Sequence, residues 1–327
     1  MIDGMIQDPC ALLEAMVKVG GWSLPKSRRD EPPYFSKTQL VDVLEQVGVL
    51  LELSGANGFR VRAYQNASRA LSSMEEDLFS TISEGRLLQV KGIGKGIAEA
   101  YLSEGATVFI LSRNAPPKKI RKKNNVAAFV TCDIRDQNSI ETAITNILKE
   151  TKQIDILINN AGGSPLLNAV KGSLNFHKSV FDFNLTAQFQ MSVLIAKKML
   201  KQKTVSSIIN ISSVTANRPT PGSAAYGAAK GGLVNLTKTL AIEWAPKIRV
   251  NSIITGYIET ENSLLHYGNK SQMKKVANTI PLRRMGKPED IANACLFLSS
   301  EKASWVSGAA LDVHGGGENP SYLSALE

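Results

Sequence analysis

The spacing of apolar residues changes character partway along the chain. From Lys37 to about Ser103 they recur every three or four positions, the period that lines one face of an α-helix. "TQLVDVLEQVGVLLELSG" (38–55) predicts an amphipathic helix stopped by a glycine. "FRVRAYQNASRALSSM" (59–74) predicts a second, and "EEDLFSTISEG" (75–85) a third with acids at its start. "LLQVKGIGKGIAEAYL" (87–102) reads as helix, tight turn, helix. From Ala106 onward the apolar residues gather into short runs separated by helix-like stretches. The runs are "TVFIL", "VAAFVTC", "IDILINN", "SSIINIS" and "IRVNSII". Such alternation predicts an α/β domain whose parallel sheet is covered on both faces. No unit repeats at a fixed period. Residues 1–36 hold one short helical pattern and then the proline- and charge-rich "SLPKSRRDEPPYFS" (23–36), read as an unassigned segment and linker.

Bulk properties narrow the classes. A chain of 327 residues is long enough for about two domains, and its 43% hydrophobic content suits globular cores. No run approaches the roughly 20 apolar residues of a membrane span. The first 22 residues carry acids and lack the basic start and small-residue cleavage site of a signal peptide. Cys10, Cys132 and Cys295 are widely separated, and with three scattered histidines they offer no metal-ligand spacing. The expectation is a cytoplasmic protein without a metal site. The net charge of +9 includes "KKIRKK" at 118–123, which reads either as a solvated face or as an attractor of anionic ligands.

The sharpest chemical signal is "NISSVTANRPTPGSAAYGAAKGGL" (210–233). Tyr226 and Lys230 are four apart on a predicted helix, so their side chains lie one turn apart on one face. A phenol that ordinarily titrates near 10 is a poor proton donor or acceptor at neutral pH. A neighbouring ammonium would lower that value and bring proton transfer into range. Ser213 ends an apolar strand and can hydrogen-bond the same substrate oxygen.

These residues, with their company, resemble the short-chain dehydrogenase/reductase family over about residues 93–316. "NNAG" (159–162) resembles the family signature after its fourth strand, "FDFNLTAQF" supplies Asn184, and Ser213 stands thirteen residues before Tyr226. "CDIRD" (132–136), "VNSIITGYIETE" (250–261), "PLRRMGKPEDIANACLFLSS" and "WVSGAALDVHGGG" follow in family order. The resemblance implies a Rossmann-like doubly wound sheet and hydride transfer between a nicotinamide cofactor and a carbonyl or alcohol. It assigns Tyr226 the proton exchange, Ser213 the polarisation of the oxygen, Lys230 the tyrosine's activation and a ribose contact, and Asn184 a proton-relay water. Cofactor contacts would come from Gly92, Ile93, Gly94, Ser112, Arg113, Asp133, Ile134, Asn160, Ala161, Gly162, Tyr226, Lys230, Gly256, Ile258 and Thr260. An acid about 20 residues after the glycines would favour NAD. Ser112 and Arg113 stand there instead, and a forked guanidinium suits a 2′-phosphate, so NADP is expected over NAD. The resemblance also implies a small-molecule substrate, homo-oligomers, and a variable substrate-lid loop at 268–282.

Residues 37–100 resemble the N-terminal helix-hairpin-helix domain of family X DNA polymerases, through "NGFRVRAYQNASRAL", "DLFSTISEGRL" and "LLQVKGIGKGIAEAYL". That likeness implies DNA phosphate contacts from Arg60, Arg62, Lys91, Gly92, Gly94 and Lys95. It does not extend to a polymerase palm. The two resemblances overlap in "GIGKGIAE", so the expected domains are 37–100 and 93–327 with the helix at 95–104 shared. Counting back from Gly92, the oxidoreductase's first strand should occupy 83–86, but "SEGR" there reads as a helix end. The sequence therefore predicts a hybrid whose sheet lacks its first strand. One alternative is an active enzyme, the other a DNA-binding module on an impaired scaffold.

Overall fold

The computed structural model describes residues 41–47, 49, 68, 92–116, 118–260, 263, 267 and 269–318. The chain separates into two compact units, Met1–Gln89 with Leu264–Asn269, and Val90–Ser263 with Lys270–Glu327. In the first, residues 41–47 are helical, Leu44 is buried, and the Ser68 hydroxyl donates to Glu45 Oε1 over 2.9 Å. Positions 83–86, where the first strand of the sheet should fall, lie outside the described residues.

The second unit alternates strand and helix. It opens with α1 (Ile93–Ser103), then β1 (Phe109–Ser112), a hairpin of β2 (Arg121–Lys122) and β3 (Asn125–Val126), and β4 (Ala128–Thr131). There follow α2 (Gln137–Thr151), β5 (Ile156–Asn159), α3 (Leu174–Phe181) and, after a π-helical turn at Asp182–Thr186, α4 (Ala187–Met199). The remainder is β6 (Ser206–Ser213), α5 (Ala224–Glu243), β7 (Ile248–Thr255), α6 (Lys270–Thr279), α7 (Pro288–Ser299) and β8 (Ala310–Val313). Each apolar run read as a strand forms one. The helix ends follow local chemistry too: Asp136 caps α2 by accepting from Ser139 N, and Pro288 opens α7.

Among the described residues, all sheet pairing outside the small hairpin is parallel. Among the described residues the strands form two pieces, β4–β1 and β5–β6–β7–β8. Two helical layers cover both pieces. On one face α2 and α4 contribute Ile140, Ile144, Met191 and Ile195, against which Leu111 of β1 and Leu157 of β5 both pack. On the other face α1 and α7 contribute Ile97, Tyr101, Ile291 and Cys295, in contact with Val108, Ile156 and Ile158. Gly96 lets α1 and α7 meet closely, since a Cβ there would lie 2.5 Å from Pro288 Cβ. The Tyr101 hydroxyl ties the same two helices by donating to Cys295 O (3.0 Å).

Two expectations change. The basic run 118–123 is more than a solvated face, because Ile120 inside it is buried against Ala98 and Leu102 of α1 while Arg121 and Lys122 are exposed. The expected lid loop is largely helical, as α6. Among the described residues no helix is long and apolar enough to cross a membrane, and no cluster of metal-ligating side chains occurs.

Candidate active site

The carboxyl ends of the strands bring most of the expected residues together, as parallel sheets with crossover helices commonly do. Ser213 is the last residue of β6 and Thr255 the last of β7, paired in register. Tyr226 and Lys230 lie one turn apart on α5. The Ser213 hydroxyl lies near enough to Tyr226 to favour its charged form, and the Lys230 ammonium sits 5.9 Å from the centre of the tyrosine ring.

Lys230 is 2% exposed, and its Nζ donates to the Ile211 carbonyl over 2.8 Å. Burial pushes its pKa down to about 7. Burial also raises the Tyr226 phenol above its ordinary value, and the nearby Ser213 opposes that rise. This differs from the simple expectation of a tyrosine lowered by its neighbour. In this geometry desolvation leads for both groups, because the pocket that holds them excludes water.

The turn after β5 fits tightly around the lysine. A Cβ on Gly162 would lie 2.9 Å from Asn184 Oδ1 and 3.0 Å from Lys230 Nζ, so a side chain there would displace one of them. Asn184 lies in the π-helical turn, fully buried, with Oδ1 accepting from Gly163 N (2.7 Å). Its Nδ2 donates to Gly163 O (3.0 Å) and Val180 O (2.9 Å). It thus clamps the loop that follows "NNAG". The widened turn is a feature that recurs at functional sites.

The expected cofactor positions line the same edge. Gly92 adopts φ 99°, conformationally costly for other residues, and starts α1 with no side-chain cap. Gly94 meets Asn160, whose Nδ2 would be 2.8 Å from a Cβ at that position. Thr260 approaches Gly92, where a Cβ would stand 3.7 Å from the threonine Cγ2. Gly256 is pressed on His314, since a Cβ on the glycine would lie 2.7 Å from that of the histidine. Ile258 is buried and bridges to Gly286. Ser112 and the exposed Arg113 end β1, while Asp133 and Ile134 follow the adjoining β4. Asp133 is held by Arg135, whose Nε and Nη2 donate over 3.1 and 2.8 Å, bringing its pKa to about 2. Of the expected DNA contacts, Gly92, Gly94 and Lys95 are described, with Lys95 3.9 Å from Glu99; Arg60, Arg62 and Lys91 lie outside the described residues.

The residues fit a nicotinamide dinucleotide. A helix N-terminus opening on glycines presents N–H groups and a positive dipole end to a pyrophosphate. No carboxylate occupies the end of β1, where a ribose would be read.

Three supporting features escaped the sequence reading. Asn159 is buried and donates to Ser192 Oγ and Asn210 Oδ1, both at 2.8 Å, stitching β5 to α4 and β6. Gln188 Nε2 donates to the Ala161 carbonyl, holding the "NNAG" turn from α4. Arg218, shortly after Ser213, reaches Tyr257 (3.0 Å) and Glu318 (2.7 Å). Only the first had a local signal, the doubled asparagine.

Comparison with known proteins agrees. The family model described as Enoyl-(Acyl carrier protein) reductase matches residues 88–318, and a helix-hairpin-helix domain model matches residues 36–102. The 3-oxoacyl-acyl-carrier-protein reductase FabG of Aquifex aeolicus is 36% identical over 233 residues, covering 69% of this chain and 93% of its own length. Glucose 1-dehydrogenase 2 of Bacillus subtilis is 34% identical over 249 residues, covering 72% and 94%. Among solved structures, an actinorhodin polyketide ketoreductase with NADPH superposes with a TM-score of 0.63 at 26% identity, covering 70% of this chain and 94% of that one. A site of Ser213, Tyr226 and Lys230 at the carboxyl edge of a parallel sheet, and these relatives, establish that the chain belongs to the short-chain dehydrogenase/reductase family, with a helix-hairpin-helix domain toward its N-terminus.

Proposed function

We propose that the protein is an NADP-dependent oxidoreductase that interconverts a carbonyl and an alcohol through Ser213, Tyr226 and Lys230. The observation that carries this reading is the joint placement of the three: Ser213 close to Tyr226, and the buried Lys230 beside the tyrosine ring. Tyr226 gives its proton to the substrate oxygen as that oxygen gains negative charge, or takes it back in the reverse direction. Ser213 donates a hydrogen bond to the same oxygen, stabilising charge that develops in a water-poor site. Lys230, one turn away, favours the phenolate whenever it is charged. Asn184 holds the turn that confines the lysine. When bound, the cofactor supplies or accepts the hydride, and the protein contributes orientation and electrostatics. The first turn of α1 would hold its pyrophosphate, and Arg113 a 2′-phosphate.

NADPH fluorescence titration tests this directly, with NADH alongside and with a 3-oxoacyl thioester and an aldose offered as substrates. NADPH is expected to bind more tightly than NADH. Tyr226→Phe should retain binding and lose turnover. Arg113→Asp should weaken NADPH by about 10- to 100-fold, the value of a charge-assisted hydrogen bond, and spare NADH. No binding of either dinucleotide up to about 1 mM would overturn the reading.

A second reading rests on the helix-hairpin-helix match over residues 36–102. There the glycine turn and Lys95 would face a DNA phosphate. Retention of a gapped duplex should weaken as salt rises, and Lys95→Glu should reduce it in low salt. Retention unaffected by both would remove DNA from the account.

A further inference from the structure

One loop joins Ser213 to Tyr226, and Arg218 stands near its middle. Both ends of that loop are fixed. Thr215 N donates to Ser213 Oγ over 3.3 Å, and Thr215 O packs on α5 beside Tyr226, where a Cβ on Gly227 would meet it at 2.9 Å. At the other end Leu167 N donates to Gly222 O (2.7 Å). From the middle, Arg218 Nη2 donates to Tyr257 Oη over 3.0 Å and to Glu318 Oε1 over 2.7 Å. Tyr257 lies in the turn after β7, between Gly256 and Ile258, and that turn has anchors of its own. Gly256 N donates to Val313 O (3.3 Å) and Gly286 N to Tyr257 O (2.9 Å). Glu318 arrives from β8 through Gly315, Gly316 and Gly317, at φ 69°, 95° and 84°, a left-handed course that glycine follows with little strain. Arg218 and Glu318 are both partly buried, so their pairing is screened less than that of exposed charges. Burial and the Glu318 carboxylate raise the Tyr257 phenol above its ordinary value, which keeps it a neutral acceptor for the guanidinium.

We propose that Arg218 is a positioning residue of the oxidoreductase site, holding the loop between Ser213 and Tyr226 in place against the turn at 256–260. The inference rests on the oxidoreductase reading. Carbonyl reduction needs a proton donor and a hydride donor to meet on one carbon–oxygen bond, so a fixed spacing between the walls that present them lowers the barrier. The first wall is the loop after β6, and the second is the turn after β7. The two strands are neighbours, with Ser213 and Thr255 in register at their ends. The second wall carries the expected cofactor contacts Gly256, Ile258 and Thr260, and its Thr260 approaches Gly92 at the start of α1. Arg218 acts through Tyr257 rather than on the substrate. Its type suits the task, because a planar guanidinium holds two acceptors at fixed angles that an ammonium does not reproduce. Glu318 sets the guanidinium's orientation and offsets its charge.

The test uses the full-length chain with NADPH and an acetoacetyl thioester, comparing Arg218→Ala, Arg218→Lys and Tyr257→Phe. Arg218→Ala is expected to lower kcat by about 10- to 100-fold, as a misplacement near 1 Å does. NADPH affinity by fluorescence should stay within about threefold. Arg218→Lys should recover part of the loss. Tyr257→Phe should lower kcat too and add little in the double variant, because both changes cut one bond. Melting temperatures accompany each variant. A residue with a merely structural role lowers stability and leaves kcat per folded molecule unchanged, and that result overturns the inference. Fully additive losses in the double variant do the same. Amide exchange gives a reading that needs no turnover, through the hydrogen-bonded amides of Asn217 in the loop and Glu259 in the turn. Arg218→Ala and Tyr257→Phe should each speed exchange at both by about threefold or more. Exchange unmoved on either side sinks the proposal whether or not the protein is active. If the unaltered protein turns over neither this thioester nor an aldose, the oxidoreductase reading fails, and the exchange result alone shows whether Arg218 holds the two walls together.

Discussion

Lys230 shows how one residue can set stability against chemistry. Its pKa in the folded protein, about 7, lies well below the ordinary 10.5, because burial disfavours the ammonium. The unfolded chain therefore binds more protons between those two values, and stability should rise with pH across that window. Below pH 7 the lysine is charged in both states and the cost of burying it is fully present. At 1.36 kcal/mol per unit that cost is on the order of 5 kcal/mol. Lys230→Met keeps the volume and removes the charge, so it should raise the melting temperature at pH 6, by less at pH 9, and abolish turnover. Thermal melts of both proteins across that range check the sign; a variant less stable at pH 6 would show that the bond to Ile211 O outweighs desolvation. The shared face of Tyr226 and Lys230 was legible because i,i+4 placement on a helix is a local fact, while Ser213 joined them through the family resemblance. The direction of their titration was not. It depends on how thoroughly strands and helices from distant parts of the chain exclude water.

At the scale of elements, α1 carries the most constraints. Its sequence satisfies two patterns at once, as the helix after a nucleotide-binding turn and as the second helix of a helix-hairpin-helix, and the two family matches overlap on it. Its packing is demanding. Gly96 sits against Pro288 of α7 with no room for a side chain, so Gly96→Val should separate the two helices and cost about 1–3 kcal/mol, the usual penalty of overpacking. Chemical denaturation of the oxidoreductase unit would read this as a lower midpoint, and an unchanged midpoint would show that α7 yields freely. The strands were legible because apolar runs without alternation mark sheets covered on both faces. The helix in the substrate-lid region went unread although Met273, Val276 and Ala277 fall at helical spacing; none of the α6 residues is buried, so the stripe is short and shallow.

For the molecule as a whole, two compact units predict two thermal events. NADPH should raise only the one belonging to the oxidoreductase unit. At a hundred times its dissociation constant the ligand adds about 2.7 kcal/mol, enough to resolve the transitions by calorimetry. A single transition that moves as one would mean that the units unfold cooperatively. The net charge of +9 would hasten encounter with either anionic partner, dinucleotide or DNA, and so does not choose between them. The choice lies in local geometry. The carboxyl edge gathers the glycine turn, Asn160, Thr260 and the tyrosine–lysine pair into one unit.

The amino-acid sequence by itself determined the order of the described strands, the family, the candidate residues for proton transfer and the overlap of two family resemblances on one stretch. Each of these is written in near-neighbour spacing, which a linear chain displays openly. Only the tertiary structure decided that burial governs Lys230, that Gly162 must be bare beside it, and that Arg218 answers Glu318 a hundred residues on. It also decided that the parallel strands, among the described residues, stand in two pieces under shared helices. Those facts arise from contacts between segments far apart in the chain, where desolvation and backbone pairing are settled by what packs alongside rather than by what comes next.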